Sequence, residues 1–151
     1  MPGRKPGARP FEWHTRVYYQ HTDAGGIVFH ANYLNFMECA RTELLQSLGF
    51  DLGEMARRDR VLFVVHRAAV TYHLPALLND MLSVSAEVGR VGRARLEFAQ
   101  QVRRGEQLLA EGELTLACVN ADSLKPVGVP AALRHRFEEN TFAAKTVEGN
   151  A

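Results

Sequence analysis

Two hydrophobic periods divide the chain. Tyr33, Phe36, Met37, Ala40, Leu44, Leu45 and Leu48 recur at three- and four-residue steps. That spacing predicts an amphipathic helix with a wide apolar stripe. Asn32 precedes the stripe as the expected N-cap, and Gly49 supplies the stop. At about 1.5 Å per residue this helix is roughly 24 Å long. Upstream, Trp13 to Gln20 alternates and is rich in β-formers, so it predicts a strand. The Gly pair in His21 to Gly26 then predicts a loop.

Downstream the period becomes two. Leu62, Val64, His66, Ala68, Val70, Tyr72 and Leu74 share one parity. Leu82, Val84, Ala86 and Val88 alternate with Ser83, Ser85 and Glu87. Leu96, Phe98 and Val102 follow, then Leu108, Ala110, Leu114, Leu116 and Cys118. Each run predicts a strand with one buried and one wet face. Turn signals at Pro75 to Asp80, Gly89 to Gly92 and Arg104 to Gly105 make the connections short, which implies antiparallel hairpins. A last short helix is expected near Ala131 to Glu138. One amphipathic helix and one sheet with a single apolar face bury each other when the sheet curls around the helix. The expected class is α+β, with five antiparallel strands around one long central helix. The exposed sheet edges of such a fold invite pairing in a dimer.

Composition narrows the classes. With 151 residues, of which 46% are hydrophobic and 23% charged, one compact domain is expected. It spans residues 11–140, with tails at 1–10 and 141–151. The longest apolar run, Val61 to Val65, is far short of the roughly 20 residues of a membrane span. Cys39 and Cys118 stand far apart, without His or Cys at metal spacing. That argues against a disulfide scaffold or zinc knuckle and for a reducing, cytoplasmic setting. A net charge of +1 argues against a nucleic-acid partner. The charge is uneven, however. Residues 57–104 hold nine basic and four acidic side chains, and fifteen of the eighteen basic residues are Arg. A GC-rich coding bias accounts for this, as does a phosphate-bearing ligand matched by the Arg fork.

Candidate chemistry concentrates between the first strand and the helix. The chain holds no Gly-x-Ser-x-Gly elbow, Walker loop, dinucleotide glycine fingerprint or His-Glu-x-x-His. The segment from Tyr18 to Tyr33 places Asp23, Gly25, Gly26 and His30 just before a helix start. Unpaired N–H groups there suit an oxygen that gains negative charge during acyl transfer. A nearby carboxylate can attack an acyl carbon or deprotonate water. On spacing alone two readings of Asp23 stand side by side, a catalytic group and a turn residue bonding its own backbone. His30 reads either as a participant or as a polar residue at a helix start. His66 falls on the apolar parity and reads as a core histidine. Cys39 and Cys118 read as small packed hydrophobes.

The stretch Tyr18 to Gly49 resembles the hotdog-fold acyl-CoA thioesterases of the 4-hydroxybenzoyl-CoA thioesterase type, in particular the branch found with bacterial Tol–Pal genes. The family pattern is matched by Tyr19, Thr22, Asp23, Gly26, Val28, His30 and Tyr33. Similarity continues through Glu38 to Glu43, Phe63 to Val65, Pro75 to Asp80 and Val91 to Arg93, covering roughly residues 11–135. The resemblance implies a hotdog fold and hydrolysis of acyl-CoA to acid and CoA, without metal or cofactor. Asp23 takes the place of the nucleophile or general base. His30 takes the place whose backbone N–H polarises the carbonyl and whose imidazole assists. Tyr19, Gly26 and Tyr33 are expected to bind substrate, and Arg90, Arg93 and Arg95 to meet the CoA phosphates. Family active sites form between subunits, so a homodimer or dimer of dimers is implied. Ala24 and His30 stand where aromatic-specific members commonly carry Pro and Tyr, which points to aliphatic or broad specificity. Acyl carrier protein as the acyl donor, and a non-catalytic scaffold on the same fold, are the rival expectations.

Overall fold

The computed structural model describes residues 10–147. The expected tail 1–10 therefore lies outside the described residues apart from Pro10. Five strands form one antiparallel sheet: β1 (Phe11–Arg16), β2 (Val61–Tyr72), β3 (Met81–Val91), β4 (Arg95–Arg104) and β5 (Gln107–Asn120). Their order is β1-β3-β4-β5-β2. Helix α1 (Asn32–Ser47) buries Tyr33, Phe36, Met37, Ala40, Leu44 and Leu45. They pack into one core with Val84, Phe98, Val102, Leu114 and Leu116 of the sheet. The helical period and the apolar parities of β3, β4 and β5 thus meet as expected, and the sheet wraps around α1.

The first strand is shorter than its pattern. The chain leaves the sheet after Arg16, because Val17 is tied instead to the loop before β3. Its N–H donates to the Asp80 carbonyl at 2.8 Å, and Asn79 N–H donates to the Val17 carbonyl at 2.9 Å. Tyr19–His21 then forms a single 3-10 turn. At α1, Ala31 rather than Asn32 takes the cap position, and no side chain caps it. A further helical segment was absent from the periodicity: α2 (Leu52–Glu54) runs into a π turn, Met55–Asp59. Asp51 accepts from Glu54 N–H at 2.9 Å. Asp51-x-x-Glu54 has capping-box spacing, a signal the sequence carried. Helix α3 (Ala131–Val147) continues past the short helix expected at 131–138 and past the boundary placed at 140. Its Leu133 and Phe137 are buried, and Phe137 packs edge-on against Phe98 at 6.2 Å. The last four residues of the expected tail 141–151 lie outside the described residues.

Strand β2 departs most from its pattern. Phe63 and Val65 pair with Cys118 and Leu116, but past a bulge Ala68, Val70 and Tyr72 pair with Leu114, Gly112 and Ala110. Cross-strand partners share a face, so the bulge swaps the parity that faces the helix. Leu62 and Val64 therefore point away from α1, opposite to the stripe they began. His66 sits at the bulge and is exposed, which corrects its reading as a core histidine. Strand β3 lacks the expected wet face at Ser85 and Glu87, since both are buried. The Ser85 hydroxyl accepts from Gln101 N–H across the β3–β4 pair at 2.9 Å.

The apolar stripe of β4 skips position 100, and the structure explains the gap. Gln100 is fully buried under α1. Its Oε1 accepts from Arg41 at 2.9 Å, and its Nε2 donates to the Met37 and Ser85 carbonyls at 2.9 and 3.1 Å. Arg41 is also buried, and burial lowers its pKa. Gln100→Leu is expected to strand this cation and lower stability by about 2–4 kcal/mol. The thermal midpoint should fall by on the order of 10 °C. An unchanged midpoint in a thermal melt would remove Gln100 from the list of core supports.

Candidate active site

The loop between β1 and α1 is closed on itself and then tied to the body. Thr22 and Val28 form an isolated antiparallel bridge. Asp23 N–H donates to the Ile27 carbonyl at 2.8 Å, and Gly26 N–H to the Asp23 carbonyl at 3.0 Å. Gly26 sits at φ +82°, a conformation that favours glycine. Val28 N–H donates to the Ala76 carbonyl at 2.9 Å, and Ile27 bridges Leu77. Inside the loop, the His21 carbonyl accepts from Phe29 N–H at 2.9 Å and from Asn32 Nδ2 at 2.8 Å. Asn32 therefore uses its side chain to hold the loop rather than to cap the helix.

Asp23 is exposed at the turn, with Oδ1 accepting from Gly25 N–H at 2.8 Å. The turn reading of this residue is thus correct as far as Oδ1 goes. Among the described residues Oδ2 has no partner, so the carboxylate keeps an open oxygen. His30 is exposed at the helix end of the loop, with its ring 4.5 Å from that of Phe29. Among the described residues the N–H groups of His30 and Ala31 have no acceptor. They stand at the positive end of the α1 dipole. One short, doubly tied loop therefore carries both an open carboxylate and free donors.

The other expected residues separate. Tyr19 is exposed in the 3-10 turn. Tyr33 is buried, and its hydroxyl accepts from Ala76 N–H at 3.0 Å. Burial pushes its phenol up from the ordinary value. Arg90, Arg93 and Arg95 are exposed around the β3–β4 turn. The Asp23 loop is tied to residues 76–80, before the opposite end of β3. The eleven-residue strand between the two ends spans up to about 35 Å. One chain therefore does not bring these arginines to Asp23. Burial pushes both thiols up, with Glu38 and Glu43 adding to the effect at Cys39, which disfavours a thiolate nucleophile. Cys118 is buried as expected, while Cys39 is exposed because it falls outside the α1 stripe.

His21 was missed by pattern reasoning. Its Nδ1 accepts from Tyr18 N–H at 2.9 Å and its ring packs on Phe36 at 4.9 Å. Burial lowers its pKa, which favours the neutral imidazole. Its position beside Thr22-Asp23 was the available signal.

A five-stranded antiparallel sheet wrapped on one helix, with this loop at the helix start, is the hotdog fold of thioesterases. A family model described as the thioesterase superfamily matches residues 25–111, and the chain belongs to that superfamily. It is 39% identical over 127 residues to the acyl-CoA thioesterase YbgC of Haemophilus influenzae, covering 84% of this chain and 93% of that protein. It is 39% identical over 130 residues to the acyl-CoA thioester hydrolase YbgC of Escherichia coli O6:H1, covering 85% and 96%. Among solved structures, a probable thioesterase from Bartonella henselae superposes with a TM-score of 0.78 at 30% identity. That match covers 81% of this chain and all of the other. No helix among the described residues is long and apolar enough to cross a membrane.

Proposed function

We propose that this chain hydrolyses acyl-CoA thioesters to the free acid and CoA, in the cytoplasm and as a homodimer. The observation that carries the reading is the single loop that carries both the open Asp23 carboxylate and the free N–H groups of His30 and Ala31. The thioester carbonyl oxygen rests against the His30 N–H, which stabilises the charge of the tetrahedral state. Asp23 either attacks the carbonyl carbon or draws a proton from an attacking water. Collapse expels CoA as a thiolate, a comparatively good leaving group, so no strong acid is required. On the nucleophilic route water then hydrolyses the Asp23–acyl anhydride, releasing the acid and restoring the carboxylate. Tyr19 and Gly26 line the approach, and Tyr33 supports it from the core. The curated relatives at 39% identity, both named for acyl-CoA, support this substrate class. Two free cysteines suit a reducing compartment.

The dimer is supported by β2. This twelve-residue strand lies at the sheet edge and exposes Val64 (41%) and Val65 (52%). Such an edge is a template for pairing. Arg95 and Val64 both pair with Ala117, so the arginines lie toward the Val61 end of β2. Tyr72, at the other end, reaches the loop of Asp23. A two-fold antiparallel β2–β2 pairing sets the Val61 end of one subunit beside the Tyr72 end of the other. The arginines of one subunit then approach the loop of its partner, and each site is shared.

Release of free thiol from a panel of acyl-CoAs tests the function, and complete inactivity on all of them would refute it. Arg93→Glu should raise KM for acyl-CoA by about tenfold, the loss of one charge-assisted phosphate contact. The matching acyl-pantetheine, which lacks the nucleotide phosphates, should be hydrolysed as by the wild type. Equal effects on both substrates would reject the phosphate role. Strong preference for an acyl carrier protein over CoA would reject the assigned substrate.

A further inference from the structure

His30 is held on both sides by groups other than its own N–H. On its N-terminal side Phe29 N–H donates to His21 and the Phe29 carbonyl accepts from Asn32 N–H at 2.8 Å. On its C-terminal side the first helical bond, from Tyr33 N–H to the His30 carbonyl, is long at 3.4 Å. The stronger partner of that carbonyl comes from elsewhere in the chain. Tyr72, the last residue of β2, donates its hydroxyl to it at 2.9 Å. The Tyr72 ring stands edge-on to Tyr33 at 5.3 Å and to His30 at 6.4 Å. Tyr33 in turn accepts from Ala76 N–H, and Ala76 holds Val28. Two tyrosines thus clamp the helix start, the end of the edge strand and the loop before β3.

Packing alone does not call for the hydroxyl. Tyr72 is 47% exposed, and a phenylalanine would make the same ring contacts. What the oxygen adds is one directed bond to the residue whose N–H faces the substrate. We propose that Tyr72 is a positioning residue for thioester hydrolysis. Its hydroxyl fixes the His30 carbonyl, and through it the aim of the donors at the start of α1. This inference rests on the role given above to the His30 N–H. A donor that drifts loses most where the charge is largest, in the tetrahedral state, and little in ground-state binding.

Tyr72→Phe tests it in the full-length protein. The expected result is a kcat lower by about tenfold with KM within about twofold of the wild type. The thermal midpoint and the sedimentation behaviour should match the wild type. A kcat within twofold of the wild type would overturn the proposal. So would a raised KM at constant kcat, which would mean direct substrate contact, and so would a changed assembly state. Asp23→Asn assayed alongside separates the two readings. Full turnover in Asp23→Asn refutes the catalytic role of Asp23, whereas a normal kcat in Tyr72→Phe refutes the positioning role.

Discussion

Asp23→Asn is expected to fold like the wild type and to lose thioester hydrolysis, with kcat down by about 10³-fold or more. The substitution is unusually clean. In the native loop Oδ1 accepts from Gly25 N–H, and the amide oxygen of Asn can accept the same bond. Asn also suits a turn as well as Asp does. The bridge between Thr22 and Val28 and the tie from Val28 to Ala76 do not involve the carboxylate. What disappears is the charge and the open oxygen, the two properties that make a nucleophile or a base. Thiol release and a thermal melt on the same sample decide the matter. Retained turnover with an unchanged melt would place the chemistry elsewhere.

The second large effect concerns the β2 edge. Val65→Lys puts a charge on the helix-facing side of the longest exposed edge stretch. Lysine there is a common means by which edge strands avoid pairing. The variant should sediment as a monomer and lose activity by about 100-fold or more, since a desolvated unpaired charge at an interface costs several kcal/mol. Because Val65 is 52% exposed in the single chain, the monomer itself should retain its fold. A mixing experiment tests the shared site directly. Asp23→Asn and Arg93→Glu, each impaired alone at substrate well below KM, should regain turnover when their subunits exchange. One of the two sites in a mixed dimer then combines a native Asp23 with a native Arg93. No gain on mixing, with exchange shown, would confine each site to one subunit. A dimeric, active Val65→Lys would dismiss β2 as the interface.

Much of this protein was legible in the chain itself. The three- and four-residue steps from Tyr33 to Leu48 define α1, because a helix turns every 3.6 residues and the apolar side must be covered. The alternation in β3, β4 and β5 reports a sheet with one face on that helix. Gly25 and Gly26 mark the turn that carries Asp23. These are local properties, set by backbone geometry and by which neighbours share a side. They mark the loop as the richest candidate for chemistry in the chain.

The tertiary structure decided what depends on partners distant in sequence. A single bulged residue between Val65 and Arg67 turned half of β2 over, and only the pairing with β5 reveals it. Asn32 left its capping place to hold His21, and Tyr33 turned inward to take Ala76 N–H. Tyr72, read as one apolar position among seven, reached across 42 residues to the His30 carbonyl. The arginines fell at the far end of the sheet from Asp23, because the whole length of β3 lies between them. Periodicity constrains which side of an element is covered. It carries no information on which polar atom elsewhere will answer a freed carbonyl, since that is settled by the register of strands brought together in folding.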